Sequence, residues 1–150
     1  MSHDIQDIPR YVTELAKASK AASLPLGRAT DAERIAAVRA MAQELRARTG
    51  EILAANAQDM EAARAAGTSE GPLDRLLLTP DRIEGMAAGL EALAGLPDPV
   101  GRVLEHRTIS EGLDLTRVSV PLGLVAMVYE ARPNVTSDAA GICIRTGNAC

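Results

Sequence analysis

Apolar residues recur at helical spacing along the chain as far as Pro99. Val12, Leu15, Ala18, Ser19 and Ala22 share one face of a helix that begins near Pro9, and the stretch "LPLG" at 24–27 is expected to close it. Thr30 and Glu33 have the spacing of a capping box, in which hydroxyl and carboxylate satisfy free amides reciprocally. Behind it Ile35, Val38, Ala42 and Leu45 repeat at helical period, with Met41 beside them, to an end by Gly50. Ile52, Leu53, Ala55, Met60 and Ala63 predict a third helix, stopped at Gly67. Gly71 and Pro72 then break the chain, and a short helix through Leu76 follows. Thr79 stands as an N-cap with Pro80 at the first helical position, where the missing N–H costs nothing. Ile83, Met86, Ala87, Leu90 and Ala94 predict the buried stripe of the next helix; Gly95 ends it, and Pro97 and Pro99 keep it from restarting.

After Pro99 the pattern changes. Residues 101–121, "GRVLEHRTISEGLDLTRVSVP", are richer in Val, Ile, Leu and Thr, with "SEG" at 110–112 as a turn, and predict a strand pair. Its alternation is imperfect, since Arg117 shares a face with Leu115, so one side is expected to be solvated or pressed on another subunit. Residues 122–129 carry no charge, and their length, Val content and flanking Pro and Gly favour a strand buried on both faces. A helix from about Val135 to Thr146 follows, with Gly147 as its C-cap.

Composition narrows the picture. The chain has 150 residues, enough for one domain with a real core, and 47% of them are apolar without any Phe or Trp. Tyr11 and Tyr129 are the only aromatic residues, so the core must be aliphatic and Ala-rich, which suits close helix packing. A net charge of −4 and the absence of a Lys/Arg run exclude a nucleic-acid surface. No stretch reaches the roughly 18 apolar residues of a membrane span. The N-terminus lacks the basic start and apolar core of a signal peptide, so the cytoplasm is the expected location. Cys143 and Cys150 have neither metal-site nor disulfide-framework spacing, and both are expected as small packing residues. His3 and His106 lack partners at metal-ligand spacing, so no metal is expected.

Candidate chemistry sits where the predicted strand gives way to the last helix. Strand, polar turn and helix in that order open an α/β nucleotide-binding domain, in which ligands lie beyond the carboxyl ends of the strands. Glu130, Arg132 and Asn134 occupy that edge, and helix amides starting near Val135 favour negative charge there. Simpler roles stand beside this one. Asn134 or Thr136 is a suitable helix cap, Glu130 and Arg132 a suitable local ion pair, and Pro133 a residue that holds the turn open.

The stretch "VPLGLVAMVYEARPNVTSDAAGICIRTGNAC" closely resembles the gamma-glutamyl phosphate reductases (glutamate-5-semialdehyde dehydrogenases) of the aldehyde dehydrogenase superfamily. "YEARPNVT", followed by a helix and "TGNA", is specific to that family. The likeness reaches back through "LDRLLLTPDRI", "LPDPVG" and "NAQDMEAARAAG", from about residue 10 to the end, and covers only the N-terminal part of the longer family members.

The resemblance implies an α/β, aldehyde-dehydrogenase-like fold. Residues 1–100 would be the N-terminal helical part of the cofactor-binding domain and 101–120 a strand pair serving as an oligomerisation arm. Residues 121–150 would give the first strand and helix of a Rossmann-like, NADPH-binding sheet, and a catalytic domain is expected beyond residue 150. It further implies NADPH-dependent reduction of L-glutamyl 5-phosphate to L-glutamate 5-semialdehyde with release of phosphate, in proline biosynthesis, by a homo-oligomer. The nucleophilic cysteine of the family is not carried over to Cys143 or Cys150. By the same resemblance Asn134 is the oxyanion donor, although ungapped counting from Pro121 and Gly123 places that role on Arg132. Arg132 also suits an anionic substrate, and Tyr129 and Glu130 are placed near the cofactor. Two alternatives remain: a non-catalytic helical assembly module on the same scaffold, and a reductase of another activated acyl group.

Overall fold

A computed structural model of the chain describes residues 7–130 and 132–150. His3 therefore lies outside the described residues. In chain order the elements are α1 (Ile8–Arg28), α2 (Asp31–Ala47), α3 (Thr49–Ala65), α4 (Glu70–Leu76), α5 (Pro80–Ala94), β1 (Val103–Ser110), β2 (Leu113–Val118) and α6 (Pro133–Arg145).

The first helix departs from the sequence pattern. α1 does not stop at "LPLG" but runs through Pro25 to Arg28. Proline holds a helical φ, but it has no N–H for the Ala21 carbonyl and crowds it, so Pro25 weakens α1 without ending it. Ser23 is buried and its hydroxyl donates to the Lys20 carbonyl at 2.7 Å. Gly27 brings the helix close to the 121 and 147 segments, since a Cβ there would stand 3.7 Å from the Gly147 oxygen. The apolar stripe toward the other end, with Val12 and Leu15, stays exposed.

The helices behind it follow their caps. Thr30 and Glu33 form the full capping box of α2, and the Thr79 hydroxyl accepts from the Arg82 amide at the start of α5. Val38 and Ala42 of α2 pack on Ala87, Leu90 and Ala94 of α5, with Ile35, Met41, Leu45, Leu93 and Ile144 around them. Small residues at these contacts permit the close helix approach that the Ala-rich composition implies. α3 differs from its predicted stripe: Ala55 is exposed and Asn56 is buried instead. The Asn56 side chain donates to the Leu76 carbonyl at 2.9 Å and accepts from the Leu78 amide at 2.8 Å. A buried amide is tolerated because both of its ends are bonded.

β1 and β2 form an antiparallel ribbon around a turn at Glu111 and Gly112. Leu115 pairs with Arg107 and Arg117 with Glu105, which places Arg117 and Leu115 on one face as expected. Apart from half-buried Glu105 the ribbon is exposed throughout.

Residues 122–129 form less of a strand than the sequence predicts. A single parallel bridge joins Leu124 to Ala149. The Val125 amide donates to the Ala149 carbonyl and the Ala149 amide to the Gly123 carbonyl, both at 2.9 Å. Residues 126–130 are exposed rather than buried on both faces. An apolar strand is covered only where a neighbour pairs with it, and among the described residues only the segment at Ala149 does so.

α6 begins at Pro133, so this proline starts the helix rather than holding the turn open. It ends in a Schellman motif: the Asn148 amide donates to the Cys143 carbonyl at 2.8 Å and the Gly147 amide to the Ile144 carbonyl at 3.0 Å. Gly147 has φ of +71°, and a Cβ there would lie 2.9 Å from Pro121 Cγ. Gly147→Ala is expected to lower unfolding stability by about 1–2 kcal/mol through left-handed backbone strain. Chemical denaturation checks this, and an unchanged midpoint would refute it.

Candidate active site

The segment that leaves the Ala149 bridge turns into α6 through Tyr129, Glu130 and Arg132. The Tyr129 hydroxyl and the Thr136 hydroxyl lie 2.7 Å apart and tie the two sides of this turn together. Thr136 therefore does not cap the helix. Nor does Asn134: the N-cap residue is Arg132, which makes no side-chain cap bond. Asn134 lies inside the first turn, and its amide nitrogen donates to the Asp138 carboxylate at 2.9 Å. A carboxylate only accepts, so this contact orients the Asn134 amide and leaves its second N–H available. Glu130 and Arg132 form no ion pair with each other among the described residues.

An open cavity of about 470 Å³ lies beside this turn. Arg132, Pro133, Asn134 and Asp138 line it from α6; Asp74, Arg75, Leu77 and Leu78 line it from α4 and the residues after it; Arg82, Gly85 and Met86 line it from α5. Its far wall is fixed in place. The Arg82 guanidinium donates to the carbonyls of Asp74 and Leu77 and, at 2.7 Å, to the Asp74 carboxylate. Asn56 grips the same connection at Leu76 and Leu78 from the other side. A second, apolar groove of about 630 Å³ adjoins the first and shares Leu78, Met86 and Pro133 with it.

The structure thus brings Arg132 and Asn134 together on one cavity and leaves Tyr129 and Glu130 exposed outside both. Cys143 is buried, and burial pushes its thiol above the ordinary value, with the neighbouring Cys150 thiol adding to the effect. A group held in its thiol form is a poor nucleophile. Among the described residues, neither cysteine lines either of these two cavities. No cluster of three or more His, Cys, Asp or Glu side chains that would hold a metal occurs among the described residues, and no helix among them is long and apolar enough to cross a membrane.

Sequence reasoning passed over Asp74, Arg75, Arg82 and Asp138. Asp138 had a signal, because it stands four residues after Asn134 on the same helix face. The other three belong to "LDRLLLTPDRI", where the pattern marks helix boundaries and a buried stripe but no chemistry.

No family model matches the chain. Over 143 residues, 95% of its length, it is 48% identical to a gamma-glutamyl phosphate reductase of Paramagnetospirillum magneticum, of which it covers 34%. It is 49% identical, over the same shares of each chain, to the gamma-glutamyl phosphate reductase of Rhodospirillum rubrum. The crystal structure of gamma-glutamyl phosphate reductase from Thermotoga maritima superposes with a TM-score of 0.87 at 40% identity, covering 91% of this chain and 33% of that one. The Saccharomyces cerevisiae enzyme of the same name gives 0.86 at 31% identity, covering 91% and 35%. The chain spans about a third of the length of the relatives it matches. Its helices followed by an antiparallel strand pair match the N-terminal part of those structures.

Proposed function

We propose that the chain is the N-terminal part of an enzyme that reduces L-glutamyl 5-phosphate to L-glutamate 5-semialdehyde with NADPH and releases phosphate, the second step of proline biosynthesis from glutamate. One observation carries this reading on the side of the site: the turn that resembles the reductases, with Arg132 and Asn134, opens onto a cavity lined in part by charged side chains at the first turn of a helix.

Reduction of an acyl phosphate begins with attack of a thiolate on the carbonyl carbon. A C–S bond forms, an electron pair moves onto the carbonyl oxygen, and its return expels phosphate. In this reading the thiolate comes from the part of the relatives that this chain does not span, since Cys143 is buried and neither cysteine lines the cavity. The developing oxyanion needs donors fixed beforehand. Asn134, oriented by Asp138, offers its second amide hydrogen. Arg132 is the other candidate, and its planar fork also suits the acyl phosphate.

NADPH supplies the hydride when bound. Tyr129 and Glu130 fit its neighbourhood by position, exposed beyond the segment that pairs with Ala149, where dinucleotides lie in such sheets. With its hydroxyl engaged by Thr136, Tyr129 has its ring left to meet a cofactor. The exposed ribbon, with Val103, Leu104, Ile109 and Leu113, suits an arm laid against a second copy in a homo-oligomer.

The complete polypeptide that carries this segment, mixed with freshly made glutamyl phosphate, is expected to consume NADPH and release phosphate in equal amounts. With the semialdehyde and NADP it should show phosphate-dependent reduction of NADP. Absence of both reactions in an intact oligomer would overturn the reading and leave the assembly module in its place.

A further inference from the structure

The cavity beside α6 is lined by three arginines and two aspartates, an excess of one positive charge. Those charges are not equally available. Asp74 is paired with Arg82, whose Nη1 also donates to the Asp74 and Leu77 carbonyls. Asp138 holds the Asn134 amide. Arg75 and Arg132 are left, and neither guanidinium has a hydrogen-bond or ion-pair partner among the described residues. One comes from α4 and the other from the entry to α6, so two available cations reach one cavity from two separate elements.

We infer that Arg75 and Arg132 form a two-point clamp for a substrate with an anion at each end, Arg132 taking the acyl phosphate and Arg75 the distant carboxylate. This rests on the acyl-phosphate reading above and adds what that reading leaves open, the feature that selects a glutamyl over a simple acyl group. Arg132 stands at the first turn of α6, where free amides reinforce it for the more highly charged end. Arg75 has no such support and suits a single carboxylate, which a guanidinium grips with two parallel N–H bonds. The bonds at Asp74, Leu76, Leu77 and Leu78 fix the backbone that carries Arg75 on the wall of the cavity, and its guanidinium is free to meet the second anion. An acyl phosphate without the second carboxylate would engage Arg132 alone.

The test uses two stable ketophosphonates, in which a methylene replaces the bridging oxygen of the acyl phosphate: one with the glutamyl α-carboxylate and one lacking it. Titration calorimetry on the complete polypeptide is expected to show about 10-fold or greater preference for the carboxylate form, the worth of one charge-assisted bidentate pair. Arg75→Gln should erase that preference and leave affinity for the shorter analogue unchanged. Arg75→Lys should restore part of it. Arg132→Gln should weaken both analogues alike, while Arg64→Gln, outside the cavity, should alter neither. Preference retained in Arg75→Gln, or affinity retained in Arg132→Gln, overturns the clamp, as does failure of both analogues to bind. The turnover assay above decides the reading itself, so an enzyme that reduces glutamyl phosphate but keeps its preference without Arg75 refutes the clamp alone.

Discussion

Asp98→Ala is expected to destabilise the chain by about 2–4 kcal/mol, the cost of leaving buried Arg34 with Asp31, 3.9 Å away, as its remaining counter-ion. Both Asp98 carboxylate oxygens accept from the Arg34 guanidinium, at 2.8 and 2.7 Å, and Arg34 is only 3% exposed. Arg145, 1% exposed, lies 3.7 Å from the same carboxylate, 2.5 Å from Asp31, and donates to the Leu96 carbonyl at 2.6 Å. The Nε atoms of both arginines are buried without a partner, so each guanidinium is already short of one hydrogen bond before Asp98 is removed. The network joins the first residue of α2, the connection after α5 and the last residue of α6. Burial pushes the Asp98 carboxyl up, but the Val100 amide and the Arg34 and Arg145 guanidiniums outweigh it and hold it below the usual aspartate value. A folded value below the unfolded one means that the unfolded chain binds the extra proton. The contribution is therefore complete above the ordinary aspartate value of about 3.9 and is lost as pH falls through the lower folded value. The wild-type chain and Asp98→Asn should differ widely in melting temperature at neutral pH, and the gap should close below about pH 4. Equal melting at neutral pH would refute the account.

That network was invisible in the sequence for a physical reason. Arg34 meets Asp98 across 64 positions and Arg145 meets Asp31 across 114, and no local pattern marks such partners. What was legible depends on contacts within one helical turn. Thr30 with Glu33, Thr79 with Pro80, and the stripe of Ile83, Ala87, Leu90 and Ala94 stand where spacing placed them. The end of α1 was misread because Pro25 reads as a stop although its φ suits a helix. The candidate site divides along the same line. The turn with Arg132 and Asn134 follows from the apolar-to-polar change, whereas its cavity needs Arg75 and Arg82, brought in by a tertiary approach of α4 and α5 to α6. Residues 122–129 have the composition of a buried strand, but pairing depends on neighbours, and composition cannot supply them.

The contact between α5 and α6 gives the second large effect. Gly141 lies in the middle of α6, where glycine costs about 1 kcal/mol relative to alanine. Its place there is explained by Leu90: a Cβ at 141 would lie 2.4 Å from Leu90 Cδ2 and 3.3 Å from Leu93 Cδ2. The bare backbone of α6 is thus the seat of a leucine that is 2% exposed. Leu90→Ala should cost about 2–5 kcal/mol, the lost burial plus the cavity left at the centre of the core. Gly141→Ala gains helix propensity but forces Leu90 from its rotamer or the helices apart, an overpacking cost of about 1–3 kcal/mol that leaves the variant less stable than wild type. The two changes act on one volume. In the double variant the new methyl group enters the space that the leucine vacates, and the propensity gain is kept without the clash. The double variant should therefore be more stable than the sum of the single losses predicts, by about 0.5–3 kcal/mol, and more stable than Leu90→Ala itself. Urea midpoints of the four chains at a common slope measure this coupling, and strict additivity would show that Leu90 does not rest on Gly141.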